Sequence, residues 1–201
     1  MIPRFVIADT TPISVLSLLG RNGLDLLLAT GAELVVTDVV RDELLEEPDP
    51  GADVSAERRS EINDWIQQRV TEGRLTEMPT SAGRLYRAAM AGWQAIGSPP
   101  GVRPSRKDLG EASIVGLLSA LTEEAGPQRT TFVIMDDRRG RAAVRALAVA
   151  NIDLMGTAAY LRVLADDYNN KLAADAWGAI AAVVDTQLDH GIQADPLVFR
   201  R

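Results

Sequence analysis

Three groups that commonly build protein sites are absent from this 201-residue chain or scarce in it. It has no cysteine, which excludes disulfide bonds, thiolate-bound zinc, iron–sulfur clusters and thiol nucleophiles. It has one histidine, His190, so no site can be built from two imidazoles. We expect His190 to interact with the end of the last helix. Aromatic residues make up 4% of the chain, too few for a surface that stacks many bases.

Long hydrophobic runs and signal-peptide patterns are also lacking. The first apolar run is short and ends at Asp9, and no stretch approaches the roughly 20 apolar residues that cross a bilayer. We therefore expect a cytoplasmic protein without membrane association. Its 28 acidic residues outnumber its 21 Lys and Arg, for a formal charge of −7. This balance argues against general polyanion binding but leaves room for a local basic strip.

The segments that are present alternate between strands and helices. Apolar runs at 5–8, 34–37 and 131–135 predict buried strands, and 152–155 predicts a fourth short strand. Most of the sequence between them has helical spacing. The pattern predicts an α/β three-layer sandwich with a central, mostly parallel sheet. We expect this domain over 1–165, with a helical insertion at about 47–107. A helical extension over 166–201 is expected to pack on it.

Four separated carboxylates are placed to meet at one edge of that sheet. Asp9 and Asp136 directly follow predicted strands, and Asp137 comes next. Glu43 lies on the helix after the second strand, and Glu111 lies in the first turn of a helix that follows a basic loop. In parallel sheets, ligands bind beyond the carboxyl ends of the strands, where these side chains are expected.

Such a cluster is costly unless something neutralises it. Two carboxylates about 5 Å apart repel by roughly 3 kcal/mol at an effective dielectric of 20, against a domain stability of about 5–15 kcal/mol. The cluster must take up protons or hold a cation, and oxygen-only ligands favour Mg²⁺ or Mn²⁺. Such an ion supports phosphodiester hydrolysis. Individually, Asp108 and Glu111 also suit a helix N-terminus, and Glu43 suits a solvated helix face.

The chain resembles the PIN-domain proteins at a series of motifs. They are residues 6–12 (VIADTTP), 35–44 (VVTDVVRDEL), 108–112 (DLGEA, the Gly-Glu form of one branch), 135–142 (MDDRRGRA) and 152–157 (IDLMGT). The resemblance implies a Mg²⁺- or Mn²⁺-dependent ribonuclease, and many such proteins are toxins of VapC-type toxin–antitoxin pairs. Its expected partners are an RNA substrate, a cognate antitoxin and a second copy in a homodimer.

Carried over by position, the resemblance assigns roles to individual residues. The catalytic, metal-binding quartet would be Asp9, Glu43, Glu111 and Asp136. Asp137 would replace or assist Asp136, because the doubled acid leaves the alignment ambiguous by one residue. The residues expected to support the ligands are Thr10, Thr11 and Asp108.

Two basic clusters flank the proposed ligands. Arg103, Arg106 and Lys107 precede Glu111, and a second cluster follows Asp136. The members of the second cluster are Arg138, Arg139, Arg141 and Arg145. We expect the clusters to contact RNA phosphates, with an antitoxin as the alternative partner. The alternatives are that these basic residues are solvated charges, or that Arg141 bonds a carboxylate. Trp65, Trp93 and Trp177 are expected in the core or in a dimer contact.

Three other functions compete with the ribonuclease. A haloacid-dehalogenase-like phosphatase also has an Asp after its first strand, but it needs a second Asp where this chain has Thr11. A nuclease acting on DNA would use the same acids. A catalytically silent PIN-like module that binds RNA or protein is the non-enzymatic alternative, and metal-dependent cleavage of RNA separates it from the ribonuclease.

Overall fold

The fold is a parallel sheet flanked by helices, as a computed structural model describes it for residues 3–46, 56–124 and 130–185. The described strands are β1 Phe5–Ala8, β2 Glu33–Thr37, β3 Leu75–Met78, β4 Thr131–Ile134 and β5 Ile152–Met155. Their order is β3-β2-β1-β4-β5, and every neighbouring pair is parallel. The predicted α/β class and three-layer sandwich are confirmed.

The inner strands form because their apolar side chains are buried from both faces. Val6, Ile7 and Ala8 of β1 have no exposed surface, which is typical of a central parallel strand covered by helices. Ala8 pairs with Ile134 in register, so the chain leaves β1 and β4 at the same level. This register places Asp9 and Asp136 at one edge of the sheet.

Strand β3 was not expected from the sequence. Its residues Leu-Thr-Glu-Met include two polar side chains, and only Leu75 is buried, because the strand lies at the sheet edge beside β2. The stretch predicted as a helical insertion at 47–107 therefore also supplies part of the central sheet. Residues 47–55 of that stretch lie outside the described residues.

Helices follow the strands in the described ranges. They are α1 Thr10–Ser17, α2 Gly20–Asp25, α3 Asp38–Leu45, α4 Ala56–Thr71, α5 Ser81–Ala95, α6 Leu109–Glu124, α7 Arg138–Ala146, α8 Thr157–Asp167 and α9 Lys171–Asp185, and a 3₁₀ turn covers Leu26–Leu28. Helix α7 begins at Arg138, directly after Asp137. The cause is Asp137, whose Oδ1 accepts hydrogen bonds from the N–H groups of Arg139 and Gly140.

The two long helices of the 47–107 stretch differ in burial. Helix α4 inserts Ile62, Trp65 and Ile66 into the core, and Trp65 Nε1 donates to Asp25 at 2.8 Å. The core position predicted for Trp65 is confirmed. Helix α5 buries only Gly83, so the core alternative for its half-buried Trp93 is wrong.

The carboxyl-terminal helices complete the described fold. Helix α9 packs against the core through Ala173 and Ala176, while its Trp177 is 37% exposed and lies outside the core. His190 and the rest of 186–201 lie outside the described residues. Among the helices that are described, none is long and apolar enough to cross a membrane.

Candidate active site

A polar residue follows each strand at the carboxyl edge of the sheet. From one side to the other these residues are Thr80 after β3, Asp38 after β2, Asp9 after β1, Asp136 after β4 and Thr157 after β5. Because all five strands run in one direction, the five side chains occupy the same edge. The predicted convergence of Asp9 and Asp136 is therefore present in the fold.

The threonines at the two sides each bind the neighbouring aspartate. Thr157 donates from its backbone N–H to Asp136 Oδ1 at 2.8 Å and from its hydroxyl to Asp136 Oδ2 at 2.5 Å. Thr80 donates from its N–H and its hydroxyl to Asp38 Oδ1, at 3.0 and 2.7 Å. These bonds fix the orientation of the two outer carboxylates.

Asp9, which follows the central strand, is the buried acid of the row. Its exposure is 7%, and this burial, together with the charges of Glu43 and Asp136, raises its pKa to about 6 although the N–H of Thr10 opposes the shift. No ion pair within residues 3–46, 56–124 and 130–185 includes Asp9. The fold thus buries a carboxylate that forms no ion pair with any described residue.

Glu43 reaches the same edge of the sheet from α3. Thr37 caps that helix by accepting from the N–H of Val40, which sets the direction of its first turns. Thr10 donates from its hydroxyl to Glu43 Oε2 at 2.6 Å, so it holds a carboxylate as expected. Burial raises the pKa of Glu43 despite this bond and a second one from the N–H of Gly110. A Cβ on residue 110 would lie 2.9 Å from Oε2, so glycine leaves the space that the carboxylate occupies.

Glu111 enters from the first turn of α6 and meets Asp137. Burial and, after it, the hydrogen bond between its carboxyl group and that of Asp137 together raise the pKa of Glu111 to about 7. The pKa of Asp137 is lowered, first by the N–H of Gly140 that it caps. Two carboxyl groups bond directly only when they share a proton, so this pair carries one negative charge where two separate carboxylates would carry two. Gly140 also makes room, because a Cβ there would lie 3.0 Å from Glu111 Cγ.

The structure therefore brings five of the predicted acids to one edge of the sheet, and the space between them is called here the crevice. They are Asp9, Glu43, Glu111, Asp136 and Asp137. Asp9 senses the charges of Glu43, Asp136 and Asp137, and Glu111 senses those of Asp9 and Asp137. In the described part of the chain, no three of these side chains are grouped closely enough to form a finished metal site.

Two of the residues expected to support the ligands occupy peripheral positions. Thr11 is exposed on α1, one residue beyond the threonine that binds Glu43. Asp108 is exposed too, and its backbone has a φ of 60°, although its charge still contributes to the raised pKa of Glu111. Of the three residues, Thr10 alone has a hydrogen bond to an acid of the crevice among those described.

The first basic cluster adjoins the crevice but is partly engaged. Arg106 forms an ion pair with Glu46 and donates to the Tyr86 hydroxyl at 3.1 Å. Arg103 is exposed, and its guanidinium lies 5.9 Å from the centre of the Trp93 ring. Lys107 is exposed beside them.

The second basic cluster lies on α7. Arg138 and Arg139 are exposed in its first turn. Arg141 is half-buried and donates from Nη1 to the Met135 carbonyl at 3.2 Å. Arg141 thus bonds the backbone beside Asp136, whereas one of the sequence alternatives had it bond a carboxylate.

Sequence reasoning missed Thr157 and the glycines that make room for acids, among them Gly110 and Gly140. A signal existed for Thr157, because it follows the strand next to the one that carries Asp136. Gly110 and Gly140 each lie within four residues of a predicted ligand, but their close approach to Glu43 and Glu111 depends on tertiary packing. Their role was not visible in the sequence.

The donor set fits a hard divalent cation. Its members present carboxylate oxygens, and the glycines leave space where a Cβ would collide with Glu43 or Glu111. Burial, and after it the neighbouring carboxyl groups, raises the pKa values of Asp9 and Glu111. In comparisons with known proteins, no protein-family model matches the chain, and no curated protein matches it in sequence.

Proposed function

We propose that the protein is a Mg²⁺- or Mn²⁺-dependent endoribonuclease that hydrolyses RNA phosphodiester bonds in this crevice. The observation that carries the proposal is Asp9, a buried carboxylate next to further acids, with a pKa raised to about 6. A domain of marginal stability retains such repulsion where a cation and a polyanionic substrate offset it. The residues that would hold the ion are Asp9, Glu43, Glu111, Asp136 and Asp137.

The chain's own residues have separate tasks in this reaction. When bound, the ion supplies an activated water and positive charge for the phosphate. Thr10 and Thr157 orient Glu43 and Asp136 through the hydrogen bonds described above. Glu111 and Asp137 would hold the ion as two carboxylates, and the proton that they share would pass to solvent when the ion binds. No histidine is required, and the products carry a 5′ phosphate.

Cleavage of a short, fluorescently labelled single-stranded RNA tests the proposal. We expect the wild type to cut in Mn²⁺ and not in EDTA, and Asp9→Asn to lower the rate at least about 100-fold. Asp166→Asn, an exposed acid on α8, is the matched control and should cut like the wild type. Cleavage by Asp9→Asn at the wild-type rate would refute the assignment.

The same assay separates the competing functions. A DNA strand of the same sequence, cut faster than the RNA, would make the protein a deoxyribonuclease. A wild type that binds RNA but leaves it intact with either ion would favour the catalytically silent module. The proposed ribonuclease should leave products with a 5′ phosphate, which an exonuclease that requires this group should degrade.

The biological setting that we propose is that of a cytoplasmic toxin paired with an antitoxin protein. Its support is the resemblance of the motifs around Asp9, Glu43, Glu111 and Asp136 to those of PIN-domain toxins. A small neighbouring reading frame that encodes a DNA-binding protein, together with relief of growth arrest when both genes are expressed, would test it. Homodimer formation stays a prediction that the protein's mass in solution would check.

A further inference from the structure

Residues 81–107, called here the basic strip, carry charge of one sign. The strip has five basic residues and no Asp or Glu, although acids outnumber bases 28 to 21 in the whole chain. Its basic residues are Arg84, Arg87, Arg103, Arg106 and Lys107. Arg87 pairs with Asp38 and Asp42, and Arg106 pairs with Glu46, so among the described ion pairs the charges of Arg84, Arg103 and Lys107 are the ones that stay unpaired. A local positive surface on an acidic protein attracts polyanions to one place while the rest of the surface repels them.

The strip is built as an exposed surface. Thr80 caps α5 by accepting from the N–H of Gly83 at 3.1 Å, and the helix ends before Gly97, whose φ is 85°. The chain then returns along the helix, where Trp93 Nε1 donates to the Pro99 carbonyl at 2.9 Å. Leu85 and Ile96 of this segment are 72% and 70% exposed.

Two arginines from the returning loop lie over two aromatic rings of α5. The guanidinium of Arg106 is 5.1 Å from the centre of the Tyr86 ring, and that of Arg103 is 5.9 Å from the Trp93 ring. The rings are seven residues apart, which is about two helical turns or roughly 10 Å along one face of α5. Unpaired bases stack on aromatic rings and on guanidinium planes, and this arrangement offers both.

The end of the strip that contains Arg106 lies beside the acidic crevice. Arg106 forms an ion pair with Glu46, which lies three residues after Glu43 at the end of α3. The positive charge of Arg106 also acts on Glu43, whose pKa it lowers against the effect of burial. A strand of nucleic acid lying along Trp93 and Tyr86 would therefore lead toward the crevice.

We propose that the basic strip is a binding platform for single-stranded RNA, with bases stacked on the Trp93–Arg103 and Tyr86–Arg106 pairs and a phosphate contacted by Lys107. The strand is single because paired bases do not offer their faces to protein rings. That the bound RNA is then cut rests on the proposed function, but the binding itself does not.

The chain contains a matched pair for comparison. The guanidinium of Arg162 on α8 lies 5.7 Å from the centre of the Trp177 ring on α9. This pair has the same chemistry at similar spacing, but its elements follow β5 and do not include the strip. Substitutions there control for the loss of any tryptophan or arginine.

Fluorescence anisotropy of a labelled single-stranded RNA in EDTA tests the platform without cleavage. We expect Trp93→Leu to weaken binding about tenfold with an unchanged salt dependence, because it removes stacking. Arg103→Ala should weaken binding and also make the plot of log affinity against log salt shallower, because a cation is lost. Trp177→Leu and Arg162→Ala should bind within about twofold of the wild type.

Further variants separate stacking from folding. Trp93→Phe keeps a ring but cannot donate to the Pro99 carbonyl, so near-normal binding by this variant assigns the effect to stacking. Arg103 is exposed, and its variant should melt at the wild-type temperature. Unchanged binding by both Trp93→Leu and Arg103→Ala would overturn the proposal, as would tighter binding of duplex RNA or single-stranded DNA.

The outcomes distinguish this proposal from the proposed function. If the wild type cuts RNA in Mn²⁺ while the strip variants bind normally, the platform is wrong and the nuclease stands. If the strip variants lose binding but the wild type never cuts, the platform stands and the nuclease is wrong.

Discussion

The two sides of the sheet edge contain the same pair of hydrogen bonds from a threonine to an aspartate, but the two aspartates differ in their other neighbours. On one side Thr80 binds Asp38, and on the other Thr157 binds Asp136, in both cases through a backbone N–H and a hydroxyl. Only Asp38 also has an arginine, since Arg87 Nη2 lies 2.5 Å from its Oδ2. Burial by itself raises the pKa of Asp38, but the hydrogen bonds from Arg87 and Thr80 outweigh it and hold that pKa below its ordinary value.

Asp136 has no such partner in the described ranges. The arginine closest to it in sequence whose bonding the structure gives, Arg141, donates to the Met135 carbonyl instead. The comparison teaches that a carboxylate at a strand end becomes structural when an arginine neutralises it. Without one, it remains available to a cation from solution. Sequence position alone does not distinguish Asp38 from Asp136.

Activity should separate the two aspartates most strongly. Asp136→Asn removes a charge from the crevice, and we expect a loss of Mn²⁺-dependent RNA cleavage of about 100- to 1,000-fold. Asp38→Asn keeps an acceptor for Thr80 and should cut within about threefold of the wild type at a temperature where both variants are folded. Equal losses in the two variants would break the comparison.

Stability should separate them in the opposite direction. Asp38→Ala leaves the Thr80 N–H and hydroxyl without their acceptor and leaves Arg87 with Asp42 alone, so we expect it to lower the free energy of unfolding by about 2–3 kcal/mol. Asp136→Ala loses two bonds from Thr157 but relieves repulsion at Asp9, so its change should stay within about 1 kcal/mol. Urea unfolding in EDTA at pH 7.5 measures both. A larger loss for Asp136→Ala would contradict the interpretation.

The sequence was sufficient for the parts of the fold that follow from local patterns. The apolar runs in β1, β2 and β4 are continuous because both faces of the inner sheet are covered, and β5 is a short, half-exposed strand at the edge. Asp9 and Asp136 could be placed at one edge because parallel strands end together. The α/β class and the gathering of the acids therefore needed no tertiary information.

The remainder depends on contacts between distant residues. Strand β3 has too few apolar residues to be recognised and exists because β2 offers it a hydrogen-bonding edge. The proton shared by Glu111 and Asp137 arises where α6 meets the start of α7. Whether an acid ends beside Arg87 or beside Asp9 is decided by helix packing, which the chain's local pattern does not encode.

The pH dependence of stability sharpens the contrast between Asp9 and Asp38. The pKa of Asp9 is raised from 3.8 to about 6, so the folded state binds the extra proton between these values. In EDTA the free energy of unfolding should therefore fall as the pH rises from about 4 to 6. At pH 7.5, Asp9→Asn should be more stable than the wild type by up to about 3 kcal/mol, since the pKa is raised from 3.8 to about 6 and each pKa unit corresponds to about 1.4 kcal/mol.

Divalent ion supplies the control for that measurement. Mn²⁺ should raise the melting temperature of the wild type at pH 7.5 and shift that of Asp9→Asn much less, because ligand binding stabilises the folded state. Asp38 acts with the opposite sign, since its lowered pKa contributes stability that is lost as the pH falls through that value. An Asp9→Asn variant less stable than the wild type at pH 7.5 would show that Asp9 is structural.

Arg87→Met is the smallest change that tests the contrast directly. The side chain of Arg87 is 48% exposed, so its ion pairs with Asp38 and Asp42 are screened and should contribute about 0.5–1 kcal/mol at pH 7.5. Methionine keeps the apolar stem, and Thr80 still binds Asp38. Removing the cation should raise the pKa of Asp38, which two-dimensional NMR of the carboxyl carbon measures. If that pKa stays low without Arg87, the threonine bonds alone make Asp38 structural, and the arginine no longer explains why Asp136 differs.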